Sequence, residues 1–242
     1  MIPGVDVLLR LFIAHVLGDF LLQPRRWVEE RRTLHLRSPG LWLHGAVHGL
    51  LALLAIGDPQ WWLLALLVAF SHVAIDTLKS YQDGASTRWF VLDQVLHAAV
   101  LMAAWWWVVA PEGMAAPGEL FTDPRILLVL LAVLLVTRPA GFFIAVFTKR
   151  WTAHLGDQAD NLPNAGLWIG ILERVLVVLF ILVGHLEAVG FLLAAKSVFR
   201  FGDLRNSPDR MRTEYVLIGT LLSFGVAIVV GLVGRNGLDA WA

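Results

Sequence analysis

Four consecutive apolar segments in the first half of the chain each carry two His or Asp side chains spaced four residues apart. On an α-helix, residues i and i+4 lie on one face, one turn apart. An Asp at the centre of a membrane-spanning helix costs about 2.5–3.5 kcal/mol to insert. Four pairs that carry this cost indicate a shared structural or functional role. We predict that they converge on one polar site. The pairs are His15 and Asp19, His44 and His48, His72 and Asp76, and Asp93 and His97.

The composition is that of an integral membrane protein. Hydrophobic residues make up 58% of the 242 residues and charged residues 16%, and the mean hydropathy is +0.70. The formal net charge is zero, so we expect no nucleic-acid partner. The absence of cysteine excludes disulfides and thiolate metal sites, and four methionines make a copper(I) thioether site a poor expectation.

The apolar segments predict an all-α fold, a polytopic transmembrane bundle of about eight helices, because about 20 apolar residues span a bilayer. Seven helices with one interfacial piece is the alternative, since the second and seventh segments are short. We expect a single integral membrane domain over residues 1–242, with the site in a four-helix half (1–110) and a supporting half (124–233) that carries a cationic cluster. The segments are Val5–Leu22, Leu41–Ile56, Trp61–Ser80, Trp89–Ala110, Pro124–Thr148, Gly166–Gly184, Leu186–Phe201 and Glu214–Val233.

Lys and Arg concentrate in alternate loops, which sets the expected orientation. The odd-numbered loops are basic and the even-numbered loops are nearly bare, so both termini are predicted to lie outside. This orientation puts all four His and Asp pairs in the cytoplasmic half of the membrane. The basic residues of the odd loops are Arg25, Arg26, Arg31, Arg32, Arg37, Lys79, Arg88, Lys149, Arg150, Arg205, Arg210 and Arg212.

Imidazole nitrogens and carboxylate oxygens suit zinc, manganese or iron(II). We predict a divalent metal ion, with zinc as the first candidate, and Asp93 as a further ligand or the general base. The alternative is interhelical hydrogen bonding, worth about 0.6–2 kcal/mol per bond in membranes. The predicted ligands are His15, Asp19, His44, His48, His72, Asp76 and His97.

Polar side chains near the four His and Asp pairs can each be interpreted as functional or as structural. Lys79 either pairs with Asp76, one turn away, or contacts a substrate phosphate. Gln94 either binds substrate, holds one of the metal-ligating side chains, or caps its helix. The basic run from Arg25 to Arg37 is a topology signal that can also contact anionic lipid.

Two cations of the second half, Arg174 and Lys196, are candidate anchors for an anionic substrate group. In the alternative interpretation, Arg174 pairs with Glu173 or Glu214, while Lys196 extends its ammonium to the membrane surface. Three further histidines are expected at the surface: His35, His154 and His185.

Six strings in the chain carry a family resemblance: HVLGDFLLQ (His15 to Gln23), HGAVH (His44 to His48), SHVAIDTLK (Ser71 to Lys79), IGILER (Ile169 to Arg174), AAKSVFRF (Ala194 to Phe201) and EYVLIGTLLSF (Glu214 to Phe224). Together they resemble the bacterial multi-pass membrane family catalogued as domain of unknown function 3307. The resemblance covers most of the chain and implies a bacterial inner-membrane protein. It implies no activity, so the expected function depends on the residues.

The residues favour a metal-dependent hydrolase that acts from the cytoplasmic side on a membrane lipid or lipid-linked substrate. A divalent-cation transporter or sensor is the alternative, but it needs polar residues in the outer half, where this chain has few. Haem binding fits closely spaced His and Asp pairs poorly. A structural role, with polar residues joining helices, stays open, and the sequence does not set the oligomeric state.

Overall fold

A computed structural model of the chain describes residues 4–84, 86–109, 123–152, 164–205 and 210–241. These residues are almost entirely α-helical and contain no strand, which confirms the predicted all-α fold. The chain divides into two compact units, Met1–Leu131 and Ala132–Ala242. The helices are α1 (Val5–Phe20), α2 (Arg25–Leu34), α3 (Pro39–Ile56), α4 (Trp62–Ser80), α5 (Thr87–Val109), α6 (Pro124–Val136), α7 (Arg138–Thr152), α8 (Ala165–Leu182), α9 (Leu186–Arg205) and α10 (Arg210–Asp239).

Six helical stretches of the described chain are long and apolar enough to cross a membrane. The predicted segments at Val5–Leu22 and Leu186–Phe201 are not among them. The first forms α1, which has 16 residues, and the second forms α9, whose sequence contains five charged residues. The six stretches are Pro39–Ile56, Pro59–Ser80, Thr87–Val109, Pro124–Thr152, Ala165–Leu182 and Thr213–Asp239.

In the first unit, α1, α3, α4 and α5 pack around the predicted site. Gly45 and Gly49 bring α3 close to α4, since a Cβ added at Gly49 would lie 2.9 Å from the carbonyl oxygen of Ala65. Such small residues allow helices to approach in membranes. Ser38 begins α3 by accepting a hydrogen bond from the Leu41 amide at 3.2 Å, as a helix cap does.

The basic stretch that we expected to be a loop is instead a helix, α2, followed by a single 3-10 turn at His35–Arg37. Its sequence alternates Arg and Glu at spacings of three and four residues, which supports a helix. Trp27 packs against Gly40, where an added Cβ would meet its ring at 2.8–3.0 Å. This contact brings α2 against the start of α3, at the end of the unit that carries the His and Asp pairs.

The predicted segment Pro124–Thr148 is divided into two helices, α6 and α7. The division falls at Thr137, just before Arg138 and Pro139. Proline has no amide hydrogen and clashes with the carbonyl one turn earlier, so it interrupts the hydrogen bonds of a helix. Side-chain donors can also reach the carbonyl groups near the break, where the Thr137 carbonyl already accepts from the Gly141 amide at 3.2 Å.

Arg174 of α8 supplies these donors. Its Nε donates to the carbonyl of Val136 at 2.5 Å, one terminal nitrogen to the carbonyl of Thr137 at 3.0 Å, and the other to Ser223 Oγ at 3.2 Å. Glu173 pairs with Lys196, so the alternative interpretation in which Arg174 pairs with Glu173 is not the one observed. Around them, Val177, Val178, Ile181, Phe224 and Ala227 form part of the core of this unit.

We expect Arg174→Met to destabilise the protein strongly because it removes three hydrogen bonds inside an apolar unit. At about 0.6–2 kcal/mol per bond, the loss corresponds to a fall in melting temperature of several degrees. Arg235→Met is the matched control, since Arg235 donates to the carbonyl of Ile181 at 3.1 Å and is half-buried. Thermal unfolding in detergent measures both. Equal stability of the two variants would contradict this structural role and favour the predicted substrate anchor.

Candidate metal centre

The four His and Asp pairs lie at one end of the first unit. They are near the ends of α1 and α4 and in the first half of α3 and α5. Because neighbouring helices run in opposite directions, these positions share one level. All six histidine and aspartate side chains of α3, α4 and α5 are buried, as is His15, and Asp19 is 11% exposed. The predicted convergence of the four pairs is therefore present in the structure.

The carboxylate of Asp19 lies among four imidazoles. Its Oδ1 is 3.1 Å from His48 Nε2, 3.2 Å from His44 Nε2 and 3.3 Å from His72 Nε2. Its Oδ2 is 3.7 Å from His15 Nε2. Three helices, α1, α3 and α4, thus direct imidazole nitrogen atoms toward a single carboxylate in the last turn of α1.

Three of the rings are stacked. The ring centroid of His72 lies 3.6 Å from that of His48 and 4.0 Å from that of His97, with interplanar angles of 15° and 19°. Such close stacking suits neutral imidazoles, because charged rings at these distances would repel each other. The neutral form is also the one that binds metal ions.

Several polar atoms of the cluster are buried without a hydrogen-bond partner in the described part of the chain. They include Nε2 of His15, His48 and His97, and Oδ1 of Asp93. The His48 nitrogen is near Asp19 but lacks the angles of a hydrogen bond. Buried polar atoms without partners are costly and rare. A cavity of about 10 Å³, bordered by the rings of His15, His48, His72 and His97, lies beside them and is about the size of one water molecule.

Two of the three carboxylates are paired with cations. Arg31, on α2, donates to Asp76, and Lys79 Nζ lies 2.5 Å from Asp93 Oδ2. Of the two interpretations of Lys79, the ion pair with Asp76 is not the one observed, because Arg31 binds that carboxylate. Asp76 Oδ2 also lies 3.7 Å from His44 Nε2, so the Arg31–Asp76 pair borders the imidazoles directly.

Arg31 is the site residue that sequence reasoning missed. It was interpreted as one of several basic residues that set topology, and no spacing distinguishes it from Arg32 beside it. In the structure Arg31 is 7% exposed, whereas Arg32 is exposed. The available signal is the helical pattern of α2. A helix packs one face against the rest of the protein, and Arg31 and Arg32 lie on different faces.

Gln94 connects two of the carboxylates. Its side-chain amide donates to Asp19 Oδ2 at 3.2 Å and to Asp93 Oδ2 at 3.1 Å. Gln94 therefore holds a predicted ligand. Beside it, Gly18 makes room for the cluster, because a Cβ at this position would overlap the imidazole of His48.

The remaining predicted residues are not among the contacts of this cluster that are described above. Arg174 and Lys196 belong to the second unit, where they bind backbone carbonyls and Glu173 respectively, and their role as substrate anchors stays a prediction. His35, expected at the surface, is partly exposed, and its Nδ1 lies 2.8 Å from Ser80 Oγ. His185 is at the surface as expected, with a side chain that is 65% exposed. His154 lies outside the described residues.

Residues 7–116 match the family model described as Protein of unknown function (DUF3307). This match confirms the resemblance over these residues, which include all eight residues of the four pairs, and the three strings from Ile169 onward lie outside it. No curated protein and no solved structure matches the chain.

Proposed function

We propose that this member of the DUF3307 family binds one divalent metal ion and uses it to hydrolyse a lipid or lipid-linked substrate. One observation carries the proposal: among the described residues, Asp19 has no Lys or Arg within ion-pair distance, whereas Asp76 and Asp93 each have one. A buried carboxylate without a positive partner costs several kcal/mol. A metal ion among the four imidazoles would supply the missing positive charge.

The ligand set that fits best is His15, Asp19, His48 and His72. Each offers one atom, and these atoms lie within 4.8 Å of one another. Three nitrogens and one carboxylate oxygen suit zinc, with manganese or iron(II) as alternatives. Two overlapping groups share Asp19 or His72 with this set, and we therefore assign one ion. These groups are His44, His72 and Asp76, and Asp19, Asp93 and His97.

Two further residues stand beside the proposed ligand His72. His44 Nε2 lies 3.1 Å from His72 Nε2, and Asp76 Oδ2 lies 3.8 Å from the same nitrogen. Both approach the nitrogen that faces Asp19, so they would border the ion, whereas groups that orient a ligand ring bind its second nitrogen. Arg31 would keep Asp76 in this position by binding its carboxylate.

Asp93 fits the role of general base. Lys79 and Gln94 hold its Oδ2, and its Oδ1 is buried without a hydrogen-bond partner among the described residues. That oxygen is free to accept a proton from a water molecule. When bound, a divalent metal supplies a Lewis acid and makes a coordinated water acidic near neutral pH.

The position of the cluster suggests a substrate that reaches it from the membrane surface. It lies one to three turns from the helix ends, and the basic loops predict that this end faces the cytoplasm. We propose that the protein lies in a bacterial inner membrane with both termini outside. The other half of the first unit is packed with apolar residues such as Leu11, Ile56 and Val108, which disfavours a path for ions through it.

Metal analysis of the detergent-purified protein tests the proposal. We expect about one zinc, manganese or iron ion per chain, and its loss in His72→Ala. His185→Ala is the matched control, because this side chain is 65% exposed and far from any proposed ligand in the sequence. A folded protein that takes up no divalent metal after incubation with Zn²⁺ would contradict the proposed centre.

The same preparations decide between hydrolysis and transport. Products released from a panel of membrane lipids, in the wild type and not in His72→Ala, would support the hydrolase. Stoichiometric metal without turnover, together with metal uptake into vesicles, would support the transporter or sensor instead.

A further inference from the structure

The charges buried at the cluster do not balance. Three carboxylates, Asp19, Asp76 and Asp93, stand against two cations, Arg31 and Lys79. The imidazoles must be neutral to bind a metal. The cluster therefore carries one net negative charge by itself, and one net positive charge once it holds the proposed divalent ion.

A net charge in an apolar environment is unfavourable, so a bound group that brings one negative charge is favoured. A phosphodiester carries one negative charge at neutral pH, a phosphomonoester carries about 1.5–2, and a carboxylic ester carries none. We infer that the site accepts a phosphodiester group, of the kind that joins the headgroup of a membrane phospholipid. This inference rests on the proposed metal centre.

Lys79 is placed to recognise such a group. Its side chain is 26% exposed, whereas the side chain of Asp93 that it binds is 2% exposed, so Lys79 lies between the buried cluster and the outside. An ammonium group has three donors. One can stay on Asp93 while another donates a charge-assisted hydrogen bond to a phosphoryl oxygen.

Hydrolysis of a phosphodiester adds one water across one P–O bond. The water oxygen forms the new bond to phosphorus, one of its protons passes to Asp93, and the alcohol that leaves takes up a proton. The products are a phosphomonoester and an alcohol. The monoester carries more negative charge than the single net positive charge of the metal-bound cluster. This excess of negative charge favours its release.

The visible absorption of Co²⁺ bound in place of the native metal reports ligands independently of turnover. We expect diethyl phosphate, with one negative charge, to shift the spectrum saturably, and triethyl phosphate, its neutral analogue, to leave it unchanged. Inorganic phosphate should bind more weakly than the diester. Vesicles of phosphatidylglycerol should then yield headgroup products, whereas a neutral diacylglycerol should not be hydrolysed.

Lys79→Gln should weaken diethyl phosphate binding about tenfold or more, which is the factor for 1.4 kcal/mol. Lys79→Arg keeps the charge and should retain binding, and Arg88→Gln, at an exposed residue of α5, should leave it unchanged. If Lys79→Gln does not fold, the comparison of the two ethyl phosphates in the wild type still decides the matter.

Two outcomes would overturn the inference while leaving the metal centre intact. One is bound Co²⁺ whose spectrum responds equally to the charged and neutral phosphates, or to neither. The other is inorganic phosphate that binds more tightly than the diester. Failure to bind Co²⁺ at all would overturn both proposals.

Discussion

The Asp19→Asn protein is expected to lose its metal while keeping its fold. Asparagine has nearly the same shape but no charge, so the change removes the carboxylate that four imidazoles surround. Mutation of a residue that merely orients a ligand weakens metal binding by about 10–100-fold. We therefore expect a weakening of at least about 100-fold, measured by competition with a chelator.

The difference in stability between Asp19→Asn and the wild type should change sign when metal is added. Without metal, Asp19→Asn should be at least as stable as the wild type, because it removes a buried charge that has no Lys or Arg partner among the described residues. With Zn²⁺ at 100 times the dissociation constant, the wild type should gain about 2.7 kcal/mol, and the variant should gain little. Melting curves of both proteins, with EDTA and with Zn²⁺, give the four melting temperatures that this comparison needs.

Asp58→Asn is the control for Asp19→Asn. Asp58 accepts a hydrogen bond from the amide of Gln60 at 3.0 Å, and asparagine caps such a turn equally well. It should therefore behave as the wild type with and without metal. A metal-free Asp19→Asn protein that melts well below the wild type, or one that still binds metal normally, would contradict the central place given to Asp19.

The convergence of the four pairs was predictable because it depends on local geometry. A spacing of four residues places two side chains on one helical face whatever the rest of the fold does. The depth of each pair follows from its distance to a helix end, and successive helices alternate in direction. His15 near the end of α1 and His44 near the start of α3 could therefore be placed at one level without any knowledge of packing.

The cation partners could not be predicted because they depend on the path of the chain. Arg31 and Asp76 are 45 residues apart, and their contact requires α2 to fold against the start of α3. Once Arg31 holds Asp76, Lys79 turns to Asp93, although the helical spacing favours Asp76. One missed long-range contact thus changed the expected partner of a second residue.

The break between α6 and α7 shows a different kind of error. Pro139 is visible in the sequence, yet the apolar stretch around it is continuous, and the hydropathy favoured one uninterrupted helix. The sequence offers Arg174 as a substrate anchor or as the partner of Glu173 or Glu214, whereas it binds the carbonyl groups near the break. A charged residue in an apolar helix can therefore bind backbone carbonyl groups at a helix break instead of an acidic residue.

Arg31→Met is expected to destabilise the protein by about 3–5 kcal/mol, because it leaves Asp76 buried without its positive partner. For a chain of this size, 1 kcal/mol shifts the melting temperature by about 2–4 °C, so the loss should be near 10 °C. Arg32→Met, at the exposed neighbouring residue, should change the stability by no more than about 0.5 kcal/mol. Thermal unfolding in detergent, followed by tryptophan fluorescence, measures both.

A double-mutant cycle with Asp76→Asn separates this buried pair from a general effect of the basic helix α2. Asparagine removes the charge that Arg31→Met would leave unpaired, so the double variant should recover much of the lost stability. We expect a coupling energy of about 2–3 kcal/mol, near the upper end for residues in contact. If Arg31→Met and Arg32→Met are equally mild, or if the cycle shows no coupling, Arg31 acts through membrane topology, and Asp76 returns as a candidate ligand with an unbalanced charge.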